Sequence, residues 1–164
     1  MRQLEHLCLI SELPKGATIR IPIEMTPANK TIKSKVSGYS VILDTGADNT
    51  TLSQEYLTIH GYGKYHRSGK HIQTATGLHE ILACDIKGIK IANAFCFEGI
   101  QIGVFEQWDS SKVVGVIGMD ILSQLTFLMS HEAGQFLLTD EKMPELTQLF
   151  NRLTPSSIFN KRKN

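Results

Sequence analysis

The sequence predicts a mostly β protein. Apolar and polar residues alternate at period two through several short stretches, and turn-forming residues punctuate them. Glycine is frequent, at 13, while aromatic side chains are few. At 164 residues one domain is expected, large enough to bury a core without disulfide staples. A formal charge of +1 gives no support to nucleic-acid or membrane-surface binding through bulk electrostatics.

The elements follow in order. Ala17 to Met25 alternates, with Ile19, Ile21 and Ile23 on one face, and Pro22, which has no N–H, points to an edge strand. Thr26 to Lys35 is polar and reads as a loop or hairpin tip, after which Gly38 to Asp44 is a strand leading into Asp44-Thr45-Gly46. Ser53 to Ile59 is expected to form a short helix with Ser53 as N-cap and Glu55 in the first turn, ended by Gly61 and Gly63. Tyr65 to Leu82 reads as a polar hairpin with its tip near Ala75-Thr76-Gly77. Having little apolar area to anchor it, this hairpin is a candidate moving part.

Ile81 to Ile91 is expected to hold two strands around Lys87-Gly88, and Asn93 to Val104 a further strand. Glu106 to Lys112 is a polar loop containing Trp108. Val113 to Ile117 is an apolar, buried strand that stops at Gly118 and turns into a short helix through Met119-Asp120-Ile121-Leu122. Thr126 to Ser130 and Gln135 to Thr139 form a hairpin around His131-Glu132-Ala133-Gly134. Behind Pro144, at the first helical position, Leu146, Leu149, Phe150 and Leu153 fall at helical spacing, and Pro155 ends the pattern. That helix is expected to dock on its own domain in preference to a partner. Residues 1–143 are therefore taken as the domain and 144–164 as a C-terminal helix and basic tail, with Lys161-Arg162-Lys163 a solvated run before it is a nucleic-acid arm.

Cys8, Cys84 and Cys96 are odd in number and lack C-x-x-C spacing, so no disulfide framework is expected and a cytoplasmic, reducing setting is. Cys84 shares a strand face with Leu82 and Ile86 and reads as a small core residue. The N-terminus is mixed in charge, and no apolar run approaches the roughly 20 residues that span a bilayer, so neither export nor membrane insertion is expected. His60, His66, His71 and His79 match no zinc spacing, so no metal and no other cofactor is expected.

Asp44-Thr45-Gly46 alone is weak, because Asp and Gly are ordinary turn residues. Its context is not. Leu43-Asp44-Thr45-Gly46-Ala47-Asp48 is followed by Thr50 and Leu52, then by a flap-like hairpin, then by Val116-Ile117-Gly118 with Met119-Asp120. Over roughly residues 17 to 140 this order resembles the retropepsin-like aspartic proteases, the class of retroviral proteases and their cellular and bacterial relatives.

The resemblance implies an all-β closed barrel with a flap hairpin and one short helix after Gly118. It implies an aspartic endopeptidase in which Asp44 meets its twin from a second subunit, the pair sharing one proton and activating a water. Thr45 would bond across the two-fold axis, and Gly46 would admit substrate backbone closely. Asp48 would contact peptide main chain, and Ala47, Asn49, Val116 and Ile117 would line side-chain pockets, with core packing an equal reading for the last two. Ala75, Thr76 and Gly77 would form the flap tip over the substrate. With one Asp-Thr-Gly, no Asp-Ser-Gly and no internal repeat, a chain supplies one carboxylate, so a protease needs a homodimer with the site on its axis. Its partners are then a second copy and a protein or peptide substrate.

Two departures stand out. Retroviral members commonly carry, where Met119 stands, an Arg that pairs with the carboxylate matching Asp48, and the hairpin offers only Gly69 and Gly77 where retroviral flaps have several glycines. The extra hairpin and the C-terminal helix are candidates for rebuilding a dimer interface that the short retroviral enzymes make from chain termini. The competing reading is a peptide-binding or dimerisation module on the same fold without turnover.

Overall fold

The computed structural model describes residues 7–10, 18–32, 38–74, 77–106, 112–130, 132 and 135–153. The strands are β1 (Leu7–Ile10), β2 (Arg20–Met25), β3 (Ser40–Leu43), β4 (Thr51–Ser53), β5 (His66–Thr74), β6 (Gly77–Ile91), β7 (Phe95–Phe105), β8 (Val113–Ile117), β9 (Thr126–Ser130) and β10 (Gln135–Thr139). The helices are α1 (Gln54–Ile59), α2 (Met119–Leu122) and α3 (Pro144–Leu153). Ala75 and Thr76 at the hairpin tip, Trp108, and the tail with Lys161-Arg162-Lys163 lie outside the described residues.

Strand pairing runs β2-β3-β8-β4-β7-β6, and β2 also pairs β6, which closes these strands into a barrel. Closure removes sheet edges that would otherwise offer unpaired backbone groups. The β5–β6 hairpin projects from the ring, and β1-β10-β9 forms a separate sheet. Ile21, Ile23 and Met25 alternate into the core from β2, where they meet Val41, Leu52, Ile102 and Ile117. Cys84 is buried with them.

Four sequence expectations change. Pro22 is not on an edge: β2 pairs β3 through Pro22 and β6 from Ile23 onward, so the proline sits where the strand changes partners. Its carbonyl still accepts from Ala92 N at 2.9 Å. Lys87-Gly88 does not divide two strands, because Ile86 pairs Ile100 and Gly88 pairs Glu98 on the same partner strand. The Lys87 N–H donates to the Tyr62 hydroxyl at 3.0 Å, and that hydroxyl donates to Thr26 O at 2.7 Å, so a side chain satisfies this strand N–H. The β6–β7 turn is Ala92-Asn93-Ala94, with positive φ at Ala92 and Asn93, so β7 starts later than the alternation suggested. Finally, β1 and β4 were not foreseen; at four and three residues they are too short to show a period.

Helix α1 forms as its capping residue predicts, the Tyr56 N–H donating to Ser53 Oγ at 3.2 Å. Tyr56 is 1% exposed and stacks edge-on to Tyr39 with ring centres 5.0 Å apart. Among the described residues its hydroxyl has no hydrogen-bond partner, and burial, followed by Tyr39 and Glu24, pushes its pKa up. A raised folded-state pKa makes this group's contribution complete below the unfolded tyrosine value, roughly 10, and lost as pH rises past it. Tyr56→Phe is expected to stabilise the protein by about 1 kcal/mol at neutral pH by removing the orphaned hydroxyl. The gap should widen above roughly pH 10, where the wild type alone carries the further loss from ionising Tyr56. Urea unfolding at neutral and alkaline pH measures both, and a gap that stays constant would contradict the ionisation argument.

Candidate active site

The barrel delivers Asp44 to a defined place. Strand β3 runs parallel to β8, with Ile42 opposite Val116 and Leu43 opposite Ile117, and the Asp44 N–H extends that ladder to Ile117 O at 3.1 Å. The chain then turns. Ala47 N donates to Asp44 O at 3.2 Å, and Gly46 N donates to Asp44 Oδ1 at 2.9 Å. One carboxylate oxygen is therefore held by the turn, while Oδ2 has no partner among the described residues. Asp44 is half-buried, and Thr45 and Gly46 are exposed, so the carboxyl stands at the surface of the chain.

The rest of the loop is tied to α2. Met119 N donates to Ala47 O at 2.8 Å, and Asp120 N donates to Asp48 O at 3.1 Å. The Asp120 carboxylate receives the Thr50 N–H, with both oxygens at 2.9 Å, and the Thr50 hydroxyl at 2.7 Å. It also receives the Ile121 N–H at 2.9 Å. Thr50 Oγ1 in turn accepts the Gly118 N–H at 3.1 Å, and Thr50 is 0% exposed. Charge-assisted bonds of this kind are the strong ones, and the carboxylate lies in the first turn of a helix, where a negative charge is favoured.

Gly118 permits this crossing. A Cβ there would lie 2.5 Å from the Asn49 carbonyl carbon and 2.8 Å from Ala47 O, both backbone atoms. The reading of Gly118 as the point where the motif loop passes the apolar strand is what the geometry displays.

The other sequence-derived residues distribute as follows. Ala47 and Asn49 are half-buried on the loop, and Asp48 is exposed. Val116 is half-buried, whereas Ile117 is 0% exposed in the core, so of its two readings packing is the one its burial supports. Gly77 opens β6 opposite Thr74. Where an Arg was looked for, Met119 is half-buried against the core, and its backbone together with Asp120 anchors the loop. Sequence reasoning missed Asp120 and the structural part of Thr50; a carboxylate two residues after Gly118 was the available signal, but its partner lies 70 residues away. Of the histidines, His60 is buried with Nδ1 2.8 Å from Tyr56 O, and His66 and His71 are exposed. No three His, Cys, Asp or Glu side chains gather as a metal site among the described residues.

Neither a protein-family model nor a curated protein matches the sequence. Solved structures do. A retropepsin-like aspartic protease from Rickettsia conorii is similar at 17% identity and a TM-score of 0.54, over 80% of this chain and 97% of that one. The chain has the retropepsin-like fold. EIAV protease complexed with an inhibitor is also similar, at 20% identity and a TM-score of 0.47, over 66% of this chain and 88% of that one. Within the retropepsin-like fold, Asp44-Thr45-Gly46 occupies the turn after β3, and the loop bonded to α2 is the one that carries it.

Two substitutions test the loop's support. Asp120→Asn keeps the shape but loses the charge that collects three N–H and O–H donors, and is expected to cost about 2 kcal/mol in urea unfolding. Gly118→Ala forces a methyl group against backbone and is expected to cost about 3 kcal/mol, a loss the neighbouring side chains cannot relieve. An alanine variant as stable as wild type would show that the loop and the strand end separate freely.

Proposed function

We propose that this protein is an aspartic endopeptidase that works as a homodimer. The observation that carries the reading is Asp44: a carboxylate at the chain surface, one oxygen held by the Gly46 N–H, on the retropepsin-like fold. A single chain holds only one such group, and hydrolysis by paired carboxylates needs two. In the proposed dimer the two Asp44 side chains share one proton because like charges in near contact cannot both ionise. The pair titrates as a unit. Its ionised member takes a proton from a water that attacks the scissile carbonyl, and its protonated member polarises the carbonyl oxygen.

The remaining roles are those the resemblance implies. Thr45, exposed beside Asp44, would bond to the second copy, and Asp48 and Gly46 would meet substrate main chain, with Ala47, Asn49 and Val116 beside it. The flap tip formed by Ala75, Thr76 and Gly77 would close over the peptide. Cys84 and Cys96 are free thiols, which supports placing the protein in the cytoplasm. Among the described residues no helix is long and apolar enough to cross a membrane.

Purified wild type and Asp44→Asn, compared on a peptide library from acidic to neutral pH, decide the matter. Cleavage by wild type is expected, with a loss of at least about 1,000-fold in the variant, since removing one member of a catalytic unit removes its function. Equal cleavage by both proteins would overturn the assignment. So would peptide binding without turnover by the wild type, which is the behaviour of a silent module.

A further inference from the structure

A small cavity lies between the loop that follows Asp44 and the base of the β5–β6 hairpin. Its volume is about 10 Å³, roughly what one water molecule needs. Asn49 of the loop, Ser68 of β5 and Gln101 of β7 supply its polar lining, three uncharged residues that are half-buried or exposed. Ile81, Ala83 and Ile102 supply its apolar walls, and each is at most 5% exposed. Gly103 completes the lining, and a Cβ there would lie 2.7 Å from Thr51 Oγ1 and 3.0 Å from Ile81 Cγ2. Walls already packed this closely cannot retreat to admit a larger guest.

Two local devices set the polar lining. Strand β5 is bulged: Arg67 pairs Leu82 and His71 pairs Glu80, so Ser68, Gly69 and Lys70 stand opposite Ile81 alone. Gly69 takes a φ of +68°, and the Ser68 hydroxyl donates to Ile81 O. That bond stands in for ladder pairing and fixes Ser68 at the cavity, as bulges beside a site re-aim a side chain. Gln101 is held from two sides. Its amide nitrogen donates to Asp85 Oδ1 at 3.2 Å and lies 3.1 Å from His66 Nε2. These contacts join β5, β6 and β7, so the amide is tied to its neighbours and does not swing clear of the cavity.

We propose that this cavity is a selectivity pocket that takes a small, uncharged substrate side chain, such as that of alanine or serine, with Asn49, Ser68 and Gln101 setting the limit. The inference rests on the reading of the protein as a peptidase in which Gly46 and Asp48 meet substrate main chain. A side chain that leaves this main chain beside Asp48 is directed to its neighbour Asn49. A methyl or hydroxymethyl group fits where one water would. Leucine, with three carbons more than alanine, would have to displace buried Ile81, Ala83 or Ile102. An ammonium or carboxylate group would enter a pocket whose lining carries no opposite charge, and an unpaired buried charge is costly. In a two-fold dimer the pocket occurs twice. Its preference is therefore expected at two substrate positions, one on each side of the cut.

Binding and cleavage are measured separately to test this. A peptide selected from a library by its binding to Asp44→Asn is remade with Ala, Ser, Leu, Lys and Glu at each position in turn, and affinities are read by fluorescence anisotropy. At two positions Ala and Ser are expected to bind at least about 30-fold more tightly than Leu, Lys or Glu. Gln101→Ala in the same background opens the pocket and is expected to bring Leu to within about 5-fold of Ala. Should that truncation alter the unfolding transition, Asn49→Ala is read in its place with the same expectation. The absence of any position that prefers small uncharged residues, or a preference that neither truncation relaxes, would overturn the proposal. Cleavage by wild type without the preference would remove the pocket and leave the protease reading standing. The preference in binding, with no cleavage by wild type, would do the reverse.

Discussion

The Asp120 carboxylate is the constraint on which the motif loop depends. Thr50 is fully buried, and its N–H and hydroxyl would be costly to leave without partners; Asp120 takes both, and the hydroxyl oxygen still accepts the Gly118 N–H. The chain between Asp44 and Thr50 is thereby fixed at two ends. At one end the parallel ladder of β3 and β8 reaches Asp44 itself, and at the other Thr50 is clasped by the first turn of α2. Backbone bonds from Met119 and Asp120 to Ala47 and Asp48 fill the interval. In the dimer proposed above, this support would matter because small displacements of the loop would move the Asp44 carboxyl out of register.

Met119 stands where retroviral members commonly carry an Arg. An arginine in that position would act on the loop through its side chain, with a charge pair to Asp48. This chain holds the same loop through main-chain bonds and through the acidic neighbour, and Met119 turns its side chain toward the core. Asp48 is exposed, with its carbonyl oxygen engaged by the Asp120 N–H.

What could be read from the sequence divides along physical lines. Ser53 capping α1, Pro144 opening α3, the β9–β10 hairpin and the strand-to-helix turn at Gly118 are local signals, and each stands where its residues predict. The closed ring was legible only through the order of motifs along the chain, since no periodicity in β2 tells that it will pair β3 through Pro22 and β6 beyond it. The same limit hid Tyr62 accepting the Lys87 N–H, where the residues bonded are 25 apart, and Asp120 holding Thr50. Asp44 was visible because its turn chemistry is local. Its support was not, because Thr50 and the Asp120 carboxylate that holds it lie 70 residues apart in the chain.

Helix α2 connects these results. Its first turn grips the loop that carries Asp44, and only Ser123, Gln124 and Leu125 separate its end from β9. Buried Ile121 and Leu122 fix the helix in the core, with Leu122 also facing the cavity that Phe127 and Met129 line. The distance from the carboxylate to the edge strand is therefore spanned by one short, packed element and not by a flexible linker. A displacement of β9 would be passed through α2 to the Asp44 loop with little room for slack, because close-packed interiors transmit displacements and do not absorb them.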